Sequence, residues 1–124
     1  MTKTIYIVDD DRWVRRSTEL MLMGAGYHVQ GFASAMEFLA GASTEATACA
    51  IFDVRMPEID GLRLLTMVRA RGWTLPVIIA SGHTDAGLSS QAIAAGAFDI
   101  VEKPYTEAHL IDVIEQAFVG SRSA

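Results

Sequence analysis

Residues 50–61 read Ala50-Ile51-Phe52-Asp53-Val54-Arg55-Met56-Pro57-Glu58-Ile59-Asp60-Gly61. In this stretch a short apolar run ends in one acid, Asp53, and is followed by Pro57 and the pair Asp60-Gly61, which are residue types that turn the backbone. An apolar pattern with helical spacing begins directly after the turn. The order of strand, acid, turn and helix predicts that Asp53 lies at the carboxyl end of a buried strand, which is the edge where open α/β sheets bind ligands.

Strand and helix patterns alternate five times along the chain. Short apolar runs at residues 4–8, 27–32, 49–53, 77–81 and 99–102 predict the strands, because parallel strands covered on both faces are apolar throughout. A segment with helical character follows each run. The alternation predicts an α/β fold with a doubly wound parallel five-stranded sheet, helices on both faces and right-handed crossovers.

Bulk composition narrows the class of protein. A chain of 124 residues is long enough for one domain with a real core, so residues 1–124 are predicted to form a single domain. The net charge of −5 argues against direct binding of nucleic acid. The single cysteine, Cys49, excludes an internal disulfide, and no apolar run is long enough for a membrane span or a secretory signal. We therefore expect a cytoplasmic protein that does not contact membranes.

Acidic residues follow two of the predicted strands. Asp9 and Asp10 follow the first strand, and Asp53 ends the third. Since parallel strands share one direction, these carboxylates should meet at one edge, where they cannot all ionise without a counter-charge. A hard divalent cation relieves that repulsion, and Mg²⁺ is the best fit in the cytosol. The alternative for the first acidic run is a cluster that only caps the following helix.

Lys103 and Ser81 are predicted to lie at the same edge, after the fifth and at the end of the fourth strand. Lys103 is either a simple salt-bridge partner of the acids or a clamp for a negatively charged group placed on Asp53. Ser81 either forms a turn or offers its hydroxyl to that group. An aspartate carboxylate is a known nucleophile, and Mg²⁺, a lysine and a hydroxyl suit the oxygens of a transferring phosphoryl group. The set therefore predicts an aspartate that accepts phosphate.

Three segments give the chain a resemblance to the receiver domain of bacterial response regulators in two-component signalling. They are Ile7-Val8-Asp9-Asp10-Asp11, the segment from Asp53 to Gly61 quoted above, and Glu102-Lys103-Pro104-Tyr105. The resemblance covers essentially all 124 residues, and Gly82-His83 with Ala95-Gly96-Ala97-Phe98-Asp99 is similar to the FixJ-type subgroup. It implies a flavodoxin-like (βα)5 fold with the strand order 2-1-3-4-5.

The resemblance also implies a role for each residue at the site. Asp53 accepts the phosphoryl group from a histidine kinase. Asp10 and Asp53 bind Mg²⁺ directly together with the backbone carbonyl of Arg55, and Asp9 acts on the metal through water. Lys103 clamps the phosphoryl group.

Ser81 is implied to bond the phosphoryl group and pass the change to the face formed by the fourth helix, the fifth strand and the fifth helix. Gly82 leaves room for phosphate, and the Lys103-Pro104 peptide bond is implied to be cis. Two positions depart from the family pattern. Ser81 stands where threonine is commoner, and Ile100 stands where an aromatic switch residue is usual. Phosphate acceptance should survive both changes, whereas the usual aromatic rotamer switch is in doubt.

The favoured function is therefore a phosphorylatable switch that catalyses only its own phosphorylation and dephosphorylation. A histidine kinase or phosphotransfer protein is the expected donor, and phosphorylation is expected to promote homodimer formation. The chain either belongs to a longer regulator with an output domain that controls transcription or acts alone in a phosphorelay or by protein contact.

Two rival classes use a related sheet. An aspartyl-phosphate hydrolase needs a second acid two residues after the nucleophile, where this chain has Arg55. A flavin binder needs aromatic and hydroxyl-rich loops, which we do not find in the sequence.

The sequence pattern also predicts positions for three residues of the first helix that are not assigned to the site. Trp13 is predicted to lie partly in the core, close enough to the acids to sense a metal. Arg15 and Glu19 are predicted to face water.

Overall fold

The computed structural model describes residues 2–44 and 46–120. Five strands alternate with five helices: β1 (Thr4–Val8), α1 (Arg12–Gly24), β2 (His28–Phe32), α2 (Ala35–Gly41), β3 (Ala48–Asp53), α3 (Gly61–Ala70), β4 (Val77–Ser81), α4 (Ala86–Ala94), β5 (Asp99–Glu102) and α5 (Glu107–Val119). All strand pairs are parallel, and the order across the sheet is β2-β1-β3-β4-β5. The predicted α/β class, strand number and order are confirmed.

The three central strands owe their composition to burial on both faces. Every residue of β1, β3 and β4 is buried, whereas β2 and β5 lie at the edges and are partly exposed. Apolar side chains therefore suit every position of a central strand, because both faces of the sheet are covered by helices.

Alternate residues of each strand enter two separate cores, since successive side chains of a strand point to opposite faces. Tyr6 and Val8 pack with residues of α2, α3 and α4 on one side of the sheet. Ile5 and Ile7 pack with residues of α1 and α5 on the other side. Helices therefore pack on both faces of the sheet, and the loops after its central strands, at the carboxyl edge, follow strands that are buried on both sides.

Short polar side chains cap the amino ends of the helices at that carboxyl edge. Asp11 accepts hydrogen bonds from the backbone N–H groups of Trp13 and Val14 at the start of α1, and Asp60 accepts one from Arg63 at the start of α3. Such caps satisfy backbone donors that have no partner within the helix. Within the described ranges, no helix combines the length and the apolar character that a bilayer span requires.

Candidate functional site

The strand order places three functional side chains at one point of the carboxyl edge. Asp53 is the last residue of β3, and Asp9 directly follows β1, the neighbouring strand. Lys103 directly follows β5, on the far side of β4. Because all these strands run in the same direction, residues far apart in sequence meet at their ends.

Lys103 lies between the two buried acids. Its Nζ donates a hydrogen bond of 2.8 Å to Oδ2 of Asp9 and one of 2.9 Å to Oδ1 of Asp53. The side chains of Asp9 and Asp53 are 5% and 10% exposed, against 20% for the lysine. One ammonium group is therefore shared by two carboxylates that are almost removed from water.

A third carboxylate completes the cluster. One oxygen from each of Asp9, Asp10 and Asp53 lies within 4.8 Å of the other two, and Asp10 reaches the solvent. Oxygen ligands at this spacing on an exposed edge are the donor set that Mg²⁺ prefers, and a divalent ion would relieve repulsion that a single lysine leaves in place. The residues present fit the metal that the sequence predicted. Arg55 lies two residues past Asp53 with an exposed side chain, and the role of its carbonyl stays a prediction.

The surroundings shift the pKa values of both partners. Burial raises the pKa of the Asp53 carboxyl, the hydrogen bond from Lys103 opposes that rise, and the carboxylates of Asp9 and Asp10 add to it. Burial works against the charged form of Lys103, but hydrogen bonds and attraction from Asp9 and Asp53 outweigh it and raise the pKa of the ammonium. Lys103 thus stays charged. The ionised form of Asp53 is less stable here than that of a carboxylate in water.

Every polar group of Asp9 takes part in a hydrogen bond. Its N–H donates to the carbonyl of Phe32 at 3.1 Å, and its Oδ1 accepts from the N–H of Asp11 at 2.9 Å. Its Oδ2 accepts from Lys103, and its backbone carbonyl accepts from Nη1 of Arg15 at 2.7 Å. Four residues from three segments of the chain therefore fix this one residue.

The turn after β3 packs tightly against Asp53. The N–H of Gly61 donates to the carbonyl of Val54 at 3.1 Å, and a Cβ at Gly61 would collide with the backbone carbonyl of Asp53. In the turn between Val54 and Gly61, Glu58 has a φ of 68°. The N–H of Ile59 donates to the carbonyl of Pro57 at 2.8 Å. Glycine is thus required at position 61 because the start of α3 lies directly on the strand end.

Ser81 ends β4 beside this cluster and is 2% exposed. Its hydroxyl donates to the carbonyl of His83 at 2.9 Å and accepts from the N–H of His83 at 3.1 Å. The side chain therefore bonds within its own loop. The N–H of Lys103 donates to the Ser81 carbonyl at 2.7 Å, and the Lys103-Pro104 bond is cis, as the family resemblance implied.

The first helix differs from its prediction. Trp13 is 77% exposed, so the expected position partly in the core is wrong. Arg15 and Glu19 do not face water, because their side chains are only 19% and 15% exposed. Helical spacing put Arg15 and Glu19 outside the apolar stripe, but it could not show that Arg15 turns back towards the end of β1.

Tyr105 is a further residue that sequence reasoning left without a role. Its hydroxyl and that of Thr18 in α1 form a hydrogen bond of 2.7 Å. Burial raises the pKa of the Tyr105 hydroxyl. Its place two residues after Lys103 was visible in the sequence, but its partner on α1 was not.

Comparison with known proteins identifies the family. Residues 5–115 match the model of the response regulator receiver domain. The chain belongs to the response regulator receiver domain family. Nearly the whole chain is covered, so the fold and the segments around Asp9, Asp53 and Lys103 fall inside the matched region.

Curated relatives of this receiver domain are transcriptional regulators. The chain is 39% identical over 114 residues to the C4-dicarboxylate transport transcriptional regulatory protein DctD of Rhizobium meliloti, covering 92% of this chain and 25% of that protein. It is 38% identical over 113 residues to the transcriptional regulatory protein FixJ of Bradyrhizobium diazoefficiens, covering 91% of this chain and 55% of FixJ. The chain thus spans a quarter to about half of these relatives.

Solved structures agree with the family. The crystal structure of FixJ-N matches with a TM-score of 0.89 at 34% identity, covering 100% of this chain and 99% of that one. The response regulator StyR matches with a TM-score of 0.88 at 33% identity, covering 96% of this chain and 60% of that one. The predicted similarity to FixJ-type receivers is confirmed.

Proposed function

We propose that residues 1–124 act as one phosphoacceptor unit in which Asp53 takes a phosphoryl group from a histidine kinase or a phosphotransfer protein. The observation that carries the proposal is the Lys103 ammonium, held 2.9 Å from an Asp53 oxygen and 2.8 Å from Asp9. A lysine at this position neutralises charge on a group attached to Asp53. Membership of the receiver family supports the same conclusion.

The chemistry assigned to the chain is a single transfer. A carboxylate oxygen of Asp53 attacks the phosphorus, the bond from phosphorus to the donor histidine nitrogen breaks, and the histidine leaves with the electron pair and takes up a proton. Attack by water on the phosphorus later returns free Asp53 and inorganic phosphate. Lys103 keeps its proton throughout and offsets charge on the transferring oxygens. The unit is therefore a switch, and this self-directed chemistry is its whole catalytic role.

The acid cluster is proposed to hold Mg²⁺. Asp10 and Asp53 would be direct ligands with the carbonyl of Arg55, and Asp9, both of whose carboxylate oxygens already have partners, would act through water. When bound, Mg²⁺ supplies positive charge that favours the phosphoryl oxygens near Asp53. The exposed side of the cluster at Asp10 gives the ion an entry route.

The switch is proposed to start in the loop after β4. Ser81 would have to exchange its bonds to His83 for one to the phosphoryl group. Thr84 in this loop has a buried hydroxyl without a partner among the described residues, and such a group costs about 1–3 kcal/mol. The hydrogen bonding of the loop is therefore incomplete before phosphorylation, and this favours a rearrangement of the loop.

The change is proposed to reach the face formed by α4, β5 and α5. Ile100 on β5 is partly buried against the core and carries no hydroxyl, so it would contribute by packing alone. Phosphorylation would use this face to promote a homodimer or to control an output domain or partner protein. The relatives' names as transcriptional regulators favour control of transcription in a longer protein.

Mass spectrometry tests the proposal. We expect acetyl phosphate with Mg²⁺ to add one phosphoryl group to the wild type and none to Asp53→Asn, because the amide is not a nucleophile. Asp112→Asn, which changes an exposed acid of α5, is the matched control and should be phosphorylated normally. Undiminished phosphorylation of Asp53→Asn would reject Asp53 as the acceptor. Rapid turnover of p-nitrophenyl phosphate would favour the rival hydrolase instead.

A further inference from the structure

A series of polar contacts runs along α1 from Arg16 through Glu19 to Arg15, and Arg15 bonds to the backbone of Asp9 at the phosphoacceptor site. Nη1 of Arg15 donates to the carbonyl oxygen of Asp9 at 2.7 Å, and its Nε lies 3.8 Å from Oε2 of Glu19. The other oxygen of Glu19 pairs with Nη1 of Arg16 at 3.1 Å. Arg15 and Glu19 are mostly covered, whereas the Arg16 side chain is 58% exposed. Glu19 thus orients Arg15, and Arg15 holds Asp9.

The neighbouring strand leaves space for this arrangement. A Cβ at Gly31 of β2 would collide with Oε2 of Glu19 and lie 3.2 Å from Cδ of Arg15. A glycine in a strand often marks close approach of another group. Gly31 pairs with Ile7 in the sheet, two residues before Asp9. The absence of a side chain at position 31 therefore lets Glu19 and Arg15 lie close to the end of β1.

We propose that Arg15 is a positioning residue of the phosphoacceptor site, acting through the backbone carbonyl of Asp9. The inference rests on the proposed function, because Asp9 is assigned to Mg²⁺ and Lys103. The carboxylate of Asp9 can face Lys103 and the metal only if the main chain at the end of β1 keeps its orientation. Residues that orient the ligands of a metal typically change its affinity about 10–100-fold when removed.

Charge alone predicts the opposite result, which makes the inference testable. Removing a positive charge near a cation site should strengthen Mg²⁺ binding, since like charges repel. Loss of positioning should weaken it. Arg16 offers a matched control because it carries the same charge, lies on the same helix and pairs with the same Glu19, but its side chain is exposed and it is Arg15 that bonds to the carbonyl of Asp9.

The experiment measures Mg²⁺ affinity by calorimetry in the wild type, Arg15→Met, Arg15→Lys and Arg16→Met, after circular dichroism shows that each is folded. We expect about tenfold weaker binding for Arg15→Met, at the lower end of the range for such residues. Arg15→Lys keeps a donor and should recover part of the loss. Arg16→Met should bind as tightly as the wild type or slightly more tightly.

A second measurement needs no metal. The N–H of Asp11 donates to Oδ1 of Asp9, so its amide hydrogen exchange reports the orientation of that carboxylate. In metal-free protein, exchange at Asp11 should be faster in Arg15→Met than in Arg16→Met. Gly31→Ala, which keeps the Arg15 guanidinium but displaces the Glu19 carboxylate that orients it, should change exchange and affinity in the same direction as Arg15→Met.

Three results would overturn the inference. They are Mg²⁺ binding by Arg15→Met that is as tight as in Arg16→Met, equal exchange at Asp11 in these two variants, or a lysine variant as weak as the methionine variant. Failure of the proposed function is recognised separately. A wild type that binds Mg²⁺ but accepts no phosphate would reject phosphoacceptance, while the affinity and exchange differences would still support positioning by Arg15.

Discussion

Two clusters of lysine and carboxylate lie at opposite ends of the sheet. At the carboxyl edge, Lys103 bonds to Asp9 and Asp53, and all three side chains are at most 20% exposed. At the amino end, Lys3 lies 3.1 Å from Glu115 of α5, and both side chains are more than 40% exposed. The Tyr27 hydroxyl also donates to Glu115. Similar chemical groups are thus placed in very different surroundings.

The two ends differ in the balance of charge as well as in burial. One lysine faces three carboxylates at the carboxyl edge, whereas one lysine faces one carboxylate at the other end. Burial raises the pKa of Asp53, while the hydrogen bonds from Tyr27 and Lys3 lower the pKa of Glu115. Acids with perturbed pKa values are concentrated at functional sites, which agrees with the role proposed for Asp53.

Replacing Lys103 by Met should have the largest effect on stability. It leaves two buried carboxylates without their shared cation, and removing one partner of a buried ion pair costs about 3–5 kcal/mol. Since Lys103 is partly exposed, we expect a loss of about 2–3 kcal/mol at neutral pH without metal. Urea unfolding measures the loss, and added Mg²⁺ should restore part of it.

Lys3→Met is the control for that result, because it removes the same group from the exposed cluster. Its loss should be below about 1 kcal/mol. Equal losses for the two lysines would show that burial does not separate the clusters. No recovery of Lys103→Met with Mg²⁺ would count against a metal among the three acids.

Asp53→Asn should stabilise the metal-free protein. The pKa of Asp53 is raised above its usual 3.8, so the folded state holds the proton more tightly than the unfolded state. Ionised Asp53 therefore destabilises the fold at neutral pH, and the amide removes that cost while losing the charged contact to Lys103. We expect a gain on the order of 1 kcal/mol at neutral pH.

The pH dependence checks the sign of this prediction. The difference between Asp53→Asn and the wild type should shrink as the pH falls through the raised pKa and should vanish below the unfolded value, where Asp53 is protonated in both states. Asp112→Asn controls for the loss of a negative charge elsewhere. A variant that loses stability at neutral pH would show that the bond to Lys103 outweighs the burial of Asp53.

The sequence predicted the fold because the signals were local and repeated. Continuous apolar runs in β1, β3 and β4 reflect burial on both faces, and turn residues such as Gly61 mark where α3 begins. The convergence of Asp9, Asp53 and Lys103 also followed from the sequence, since it needs only parallel strands. These features depend on strand direction rather than on the details of packing.

The rest depends on side-chain conformation, which periodicity does not determine. Arg15 was placed outside the apolar stripe correctly, but its long side chain turns back to the carbonyl of Asp9. Trp13 is predicted to lie partly in the core, yet it is exposed. The hydroxyl of Ser81 bonds to His83 in its own loop, and its bond to a phosphoryl group stays a prediction. Each outcome follows from a choice among rotamers that the sequence pattern leaves open.

Glu115→Gln should have the smallest effect and the opposite sign from Asp53→Asn. The pKa of Glu115 is lowered from 4.5 by Tyr27 and Lys3, so its charge stabilises the fold at high pH, and that contribution is lost as the pH falls through the lowered pKa. Because the pair with Lys3 is exposed, we expect a loss of about 0.5 kcal/mol at neutral pH. Screening by about 1 M salt should remove most of it. Urea unfolding at low and high salt measures the change. A loss as large as that of Lys103→Met, or one that salt does not reduce, would show that the amino end of the sheet holds a buried charge pair after all.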